Sequence, residues 1–249
     1  MKRAAQGRPE PVDEQLAALA VKWSLNAAAV SRLRDLLGLV RDDPRAATSV
    51  RSPEEAVHVH VADSLSALPF LEAAGDFPLD HGIRAIDVGS GAGFPGLPIA
   101  IARPQLDVDL LEATRRKCEF LEAATLALDL HNARVVNRRA EEWAGAGGRE
   151  RYDLVLVRAV APLPTLVEYA APLLSLGGRL IAWKGARDPS EEAAGRRAAD
   201  KIGLEMTQIE RVEPYPGSRT HNLHLYEKSR PTPARFPRRP GAARKNPVG

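Results

Sequence analysis

DVGSGAGFPGLP occupies Asp87–Pro98, with four glycines and two prolines in twelve residues. A segment so short of side chains can bring its own backbone close to a ligand. It follows the apolar run Ile83–Val88 (IRAIDV), so a buried strand ending in a glycine turn is predicted. That is where a nucleotide-binding α/β sheet places its ligand loop. The spacing Gly89-x-Gly91-x-Gly93 narrows the ligand. The dinucleotide pattern G-x-G-x-x-G would need glycine at position 94, where Phe94 stands, and no Gly-Lys-Ser or Gly-Lys-Thr follows for a Walker loop. Glu112 ends the next apolar run, 23 residues beyond Gly89, where a carboxylate can accept from both ribose hydroxyls of a nucleoside. Asp87, the three glycines and Glu112 therefore describe a site for S-adenosyl-L-methionine better than one for NAD, since a sulfonium nucleoside needs no pyrophosphate cradle. The alternative is a tight strand-to-helix turn with no ligand.

Outward from this loop, short β-branched or leucine-rich runs alternate with helical stretches. IRAIDV, DVDLLE, ARVVN, DLVLV and RLIAWK read as strands of a parallel sheet covered on both faces. Helices are predicted at Leu97–Ala102, Arg115–Leu128, Leu163–Leu174 and Asp188–Ile202. MTQIERV and HNLHLYE read as two late strands forming an antiparallel hairpin at the sheet edge. Upstream, helical spacing runs from Val12 to Arg41 (Leu16, Leu19, Trp23, Val30, Leu33, Leu36, Leu37, Val40). A clearer helix starts at Ser52, with Pro53 at its first position and Glu55 completing a capping box. Three parts are expected: residues 1–80 as a helical extension capping the fold, 81–228 as the α/β domain, and 229–249 as a proline-rich arm, extended or disordered.

Arg139-Ala140-Glu141 lies just past ARVVN, where backbone groups could reach an adenine edge, and Arg158 directly follows DLVLV at a carboxyl strand end. Charge is uneven. Lys228–Gly249 holds seven basic residues and no acidic ones, and the rest of the chain has 28 basic and 32 acidic residues, so a polyanion partner is expected at one end. The single cysteine, Cys118, sits at helical spacing with Leu121, Thr125 and Leu128 and reads as buried. It excludes an internal disulfide and a thiolate metal cluster, and it disfavours methylation at pyrimidine C5, which needs a thiolate nucleophile. The stretch after the fourth strand reads RAVAP, not the Asn/Asp-Pro-Pro-aromatic loop common for exocyclic amines. No lone histidine stands clearly at a strand end to act as a general base. An acceptor that is already nucleophilic, such as guanine N7, then needs only positioning. A small-molecule methyltransferase and a non-catalytic RNA-binding module are the rival readings. No run of 18 apolar residues is present and no secretory signal opens the chain, so no membrane span, a cytoplasmic address and a monomer are expected.

HVADSL (His60–Leu65), DVGSGAGFPGLPIAI, EATRRKCEFL (Glu112–Leu121), RAE, VRAVAPL, WKG (Trp183–Gly185) and TPARFPRRPG (Thr232–Gly241) together resemble the bacterial 16S ribosomal RNA guanine-N7 methyltransferases, also called glucose-inhibited division protein B. The resemblance runs from about Ser52 to Gly249. It implies a class I S-adenosylmethionine-dependent methyltransferase fold, Rossmann-like, with a mostly parallel seven-stranded sheet and a helical N-terminal part. The implied activity is methylation of N7 of one guanine in the 530 loop of 16S rRNA, on the small ribosomal subunit. It implies cofactor contacts at Gly89, Phe94, Glu112, Ala140, Glu141 and Arg158. RNA contacts are implied at Arg116, Lys117, Arg139 and the tail arginines Arg235, Arg238 and Arg239. His60 and Asp63 fall on the family's histidine–aspartate motif near the pocket, and with Arg139 and Arg158 they make up the candidate catalytic set. The residues alone leave His60 open, either functional or a satisfied core histidine beside Val57 and Val61. The sequence departs from the family pattern at Asp42–Ser52, and at a family arginine matched here by His221, with Arg219 two residues earlier as its substitute.

Overall fold

The computed structural model describes residues 11–72, 82–218 and 220–248. Its centre is a seven-stranded sheet of β1 (Arg84–Val88), β2 (Asp107–Glu112), β3 (Ala133–Asn137), β4 (Tyr152–Arg158), β5 (Leu174–Lys184), β6 (Leu204–Val212) and β7 (His221–Lys228), in the order β3-β2-β1-β4-β5-β7-β6. Neighbours from β3 to β5 are parallel, and β7 runs antiparallel to both β5 and β6. Four successive residues of β1 and of β4 are buried, as expected where helices cover both faces. The order reverses between β1 and β4, so ligand-binding loops gather at their carboxyl ends. The late hairpin forms as expected, but β7 inserts beside β5 and β6 takes the edge.

The N-terminal helical run breaks in two. Helix α1 (Val12–Trp23) ends at Ser24, in the left-handed region at φ 51°, and α2 (Ala27–Asp42) starts under Asn26, whose side chain accepts the Ala29 N–H. The capping box expected at Ser52 does not form: Ser52 Oγ donates to Glu54 Oε2 at 2.6 Å, one residue short of the expected Glu55. Helix α3 (Pro53–Ala56) passes into a π-helical turn, Val57–Ala62, and then α4 (Asp63–Leu65) and α5 (Leu68–Glu72). Residues 73–80 of the expected extension lie outside the described residues. Leu16, Leu33, Leu36, Val61 and Leu65 pack into one apolar cluster with Leu97, Leu110, Ile181 and Trp183 of the α/β part.

Helices α6 (Gly96–Ala102), α7 (Arg115–Ala127), α8 (Ala140–Ala146), α9 (Leu163–Ala170) and α10 (Pro189–Ile202) complete the layers. Helix α9 stops four residues before the expected end at Leu174. Ala171 is still helical, at φ -54° and ψ -44°, but Pro172 has no N–H to carry the helical ladder on, and Leu174 instead pairs with Tyr152 of β4. The Asp188 side chain caps α10 by accepting from Ser190 N and Glu191 N.

The C-terminal arm is neither free nor wholly extended, which corrects the reading of its composition. Phe236 is 3% exposed, and a short helix α11 (Ala242–Lys245) follows it. Lys228 is buried and donates to Glu150 Oε1, Ala171 O and Leu174 O. Burial pushes its ammonium pKa down, against the pull of Glu150. Arg238 makes a two-pronged bond to Glu168, itself 1% exposed, so its guanidinium neutralises a buried carboxylate and is tied to the fold. Gly241 N donates to Glu141 Oε1 at 2.9 Å, which pins the arm to the start of α8. Phe236→Ala is therefore expected to cost about 3–5 kcal/mol of folding stability in denaturant unfolding, whereas Arg235→Ala, at an exposed position, costs less than about 0.5 kcal/mol.

Candidate active site

The glycine loop is clamped between two strand-end carboxylates. Gly89 N and Ser90 N both donate to Leu111 O, at 2.8 and 3.1 Å, which fastens the loop to the end of β2. Gly91 N donates to Glu112 Oε2 at 3.1 Å, and Thr114 N to Glu112 Oε1 at 2.8 Å. On the other side Gly96 N donates to Asp87 Oδ2 at 3.0 Å. A Cβ on Gly96 would stand 2.5 Å from Leu110 Cδ2 and 2.8 Å from Asp87 Oδ2, so this contact admits no other residue. Gly89, at φ +78°, would bring a Cβ to 2.7 Å from Val160 Cγ2. At Gly91 the nearest atom to such a Cβ is Gly89 O at 3.8 Å, so that turn faces open space.

Asp87 is fully buried, and its Oδ1 has no protein partner. Burial raises its pKa to about 7, opposed by the Gly96 N–H. A buried carboxylate with one unpaired oxygen and a bare turn beside Glu112 fit a cationic sulfonium nucleoside: Glu112 suits the ribose hydroxyls, and the loop amides and Asp87 suit the amino-acid end. Ala140 and Arg139 open α8 nearby, with Arg139 N donating to Glu142 Oε2 at 3.3 Å and its side chain exposed. Glu141, expected at the adenine edge, is buried, and its Oε1 receives the Gly241 N–H of the arm. Cys118 is buried, with Sγ donating to Glu112 O at 3.3 Å.

Beside the loop lies a buried polar cluster. Arg158 Nη1 donates to Asp63 Oδ2 at 2.9 Å and to Val59 O at 3.1 Å. Asp63 Oδ1 lies 3.0 Å from His221 Nδ1, and Asp63 O accepts Trp183 Nε1 at 2.9 Å. His60 stacks on Phe94 with ring centroids 4.5 Å apart, and the Arg158 guanidinium sits 5.5 Å from the same ring. Burial, with the Arg158 charge second, lowers the His60 pKa to about 4, so the imidazole is neutral at pH 7. Arg158 Nη2, 3.4 Å from Nδ1, can only donate, which assigns the proton to Nε2 and makes Thr48 Oγ1, at 2.9 Å, its acceptor. Both ring nitrogens of His60 thus have partners within the protein. Asp63, Arg158, Trp183, Lys184 and His221 line a cavity of about 260 Å³ at the carboxyl ends of β4 and β5.

Asp87, Gly89, Gly91, Gly93, Phe94, Glu112 and Arg158 thus meet at one edge with His60, Asp63 and His221. Arg158, expected to face ligand, spends its bonds on the protein, although it lines the cavity. His221 opens β7 at this same edge, so the expectation that no histidine stands at a strand end is overturned; the antiparallel turn of the last strand was not visible in its spacing. Lys117 Nζ approaches Glu112 Oε2 at 3.8 Å, while Arg116 donates to Pro44 O at 3.1 Å and ties α7 to the loop after α2. Arg235 lies over the Phe236 ring, Arg239 is exposed farther along the arm, and Arg219 lies outside the described residues. Thr48, Trp183 and Gly96 were missed. Gly96 had a signal in the fourth glycine of the loop, whereas Thr48 lies in the stretch that departs from the family pattern. Among the described residues, no cluster of three or more His, Cys, Asp or Glu could hold a metal ion, and no helix is long and apolar enough to cross a membrane.

A family model described as rRNA small subunit methyltransferase G matches residues 40–219. The ribosomal RNA small subunit methyltransferase G of Chloroflexus aggregans is 42% identical over 203 residues, covering 81% of this chain and 82% of its own. That of Deinococcus deserti is 41% identical over 203 residues, covering 81% and 80%. Among solved structures, the CurJ carbon methyltransferase superposes with a TM-score of 0.55 at 12% identity, over 87% of this chain and 71% of that one, which supports the fold alone. The loop clamped by Asp87 and Glu112 thus stands in a class I S-adenosylmethionine-dependent methyltransferase fold, and the chain belongs to the rRNA small subunit methyltransferase G family.

Proposed function

We propose that this chain transfers the methyl group of S-adenosyl-L-methionine to N7 of one guanine in the 530 loop of 16S rRNA within the small ribosomal subunit. The observation that carries the reading is the three-glycine loop held between Asp87 and Glu112, next to a base-sized cavity, in a chain of this family. When bound, the cofactor supplies a methyl electrophile whose carbon–sulfur electron pair leaves with sulfur. Glu112 and the loop amides hold the nucleoside, and Phe94, wedged against His60, walls the cleft. Asp63 and Arg158 tie the N-terminal helices to the rim of the cavity, which fixes where an acceptor base can lie. Arg139, Lys117, Arg235 and Arg239 supply exposed or half-exposed charge for the phosphate backbone. Guanine N7 has an in-plane lone pair, so orientation is the main work left to the protein. Incubated with small subunits that lack the modification, the chain should yield 7-methylguanosine in a single RNA fragment by mass spectrometry. A methyl group on another atom, or none with cofactor bound, would refute the reading.

One observation favours a second reading. The His221 ring, oriented by Asp63 at 3.0 Å, has the arrangement that prepares an imidazole as a base. An acceptor that must lose a proton, such as an exocyclic amine or a hydroxyl, would use it, and N7 would not. His221→Gln should therefore slow single-turnover methyl transfer less than about tenfold, whereas loss of a general base would cost about 10²–10⁴-fold.

Asp87 gives a pH dependence. Its folded pKa, about 7, lies above the roughly 4 of an unfolded aspartate. Its contribution to stability is thus fully present below about pH 4 and is lost as pH rises through about 7. Without cofactor, the wild type should lose on the order of a few kcal/mol between pH 5 and pH 8 relative to Asp87→Asn. A cationic ligand in the cleft favours the carboxylate, so saturating cofactor should flatten that difference. Parallel pH curves for the two proteins would contradict the assignment.

A further inference from the structure

Trp183-Lys184-Gly185 closes β5 at the carboxyl edge, and its lysine has no role in the chemistry above. The strand end is held from both sides: Trp183 Nε1 donates to Asp63 O at 2.9 Å, and Gly185 O accepts Asn222 Nδ2 at 2.7 Å. Between these anchors Lys184 Nζ donates to Glu191 Oε1 at 2.7 Å. The same oxygen accepts Leu163 N at 2.7 Å, which fixes the carboxylate beside the loop that follows β4. Lys184 lines the cavity with Asp63, Arg158 and His221, and its side chain is 22% exposed. Arg158, the other strong cation there, is turned onto Asp63 and Val59. An ammonium has three donors, and among the described residues Glu191 is the one group that receives a bond from this lysine.

We propose that Lys184 is the specificity-determining residue for the acceptor base and donates to guanine O6. The proposal rests on the reading of the chain as a guanine-N7 methyltransferase. Guanine presents N7 and O6 as neighbouring acceptors on one edge, whereas adenine pairs its N7 with an N6 amino donor. A donor held at O6 orients the N7 edge, and the same ammonium meets adenine donor to donor. Methylation at N7 puts positive charge on the purine, which a lone ammonium would oppose. Glu191 offsets that charge, as Asp63 offsets Arg158, so the pocket can read O6 without repelling the product.

The test uses the full chain and small-subunit RNA carrying, at the target position, either guanine or 2-aminopurine, which keeps N7 and lacks O6. Wild type should methylate the 2-aminopurine RNA about 10- to 100-fold more slowly, the loss of one charge-assisted hydrogen bond. Lys184→Met should fall by a similar factor on guanine RNA and show no further loss on 2-aminopurine. Lys184→Gln, which keeps a neutral donor and the strand geometry, should lie between them and serves if the methionine variant does not fold. Calorimetric cofactor affinity equal to wild type identifies a folded variant. A folded variant that still discriminates as wild type does, or a wild type indifferent to O6, overturns the proposal. A wild type that binds cofactor and methylates neither RNA overturns the substrate reading instead.

Discussion

Asp63 and Arg158 lie 95 residues apart, and the 2.9 Å bond between them joins the N-terminal helices to the end of the central strand β4. Both side chains are largely buried, at 8% and 15% exposure, so neither could be stranded without the other at modest cost. The pair also sets its neighbours. Arg158 makes His60 an acceptor at Nδ1 and helps to keep the ring neutral, and Asp63 orients His221. With Trp183 donating to the Asp63 backbone, β4, β5, β7 and the helical segment meet at one point.

The two ends of the site divide their work. Toward β1 and β2, Asp87 and Glu112 use main-chain N–H groups to hold a loop with little side chain, and this suits a small cationic nucleoside. Toward β4, β5 and β7, paired charges frame a cavity next to the loop. The C-terminal arm closes the far side through Glu168 and Glu141, so residues that look like free polyanion contacts are partly structural. The half-exposed and exposed cations that remain, on α7, at the start of α8 and along the arm, lie on surfaces a large anionic substrate can reach.

Much of this was legible in the sequence where cause and effect are close along the chain. The loop and its two carboxylates fall within Asp87–Glu112, and strand alternation with helical spacing gave the sheet. Contacts across long separations were not legible. Nothing local shows that Arg238 neutralises Glu168 or that Lys228 is buried, and proline content made the arm read as free although Phe236 is an apolar anchor. The π-helical turn at Val57–Ala62 hides in ordinary helical spacing, and the Pro172 stop was outweighed by the leucines around it. His221 reads in sequence only as the residue at a family arginine's position; its place beside Asp63 comes from the strand order, which carries the start of an antiparallel strand to the carboxyl edge.

The central claim is that Asp63 and Arg158 act as one unit that both joins the two parts of the molecule and builds the acceptor pocket. The most direct measurement is a double-mutant cycle of Asp63→Ala and Arg158→Ala, read in unfolding free energy and in single-turnover methyl transfer. The double variant should be little worse than the poorer single one, with a coupling of about 1–3 kcal/mol in both readouts. Losses that simply add would contradict it.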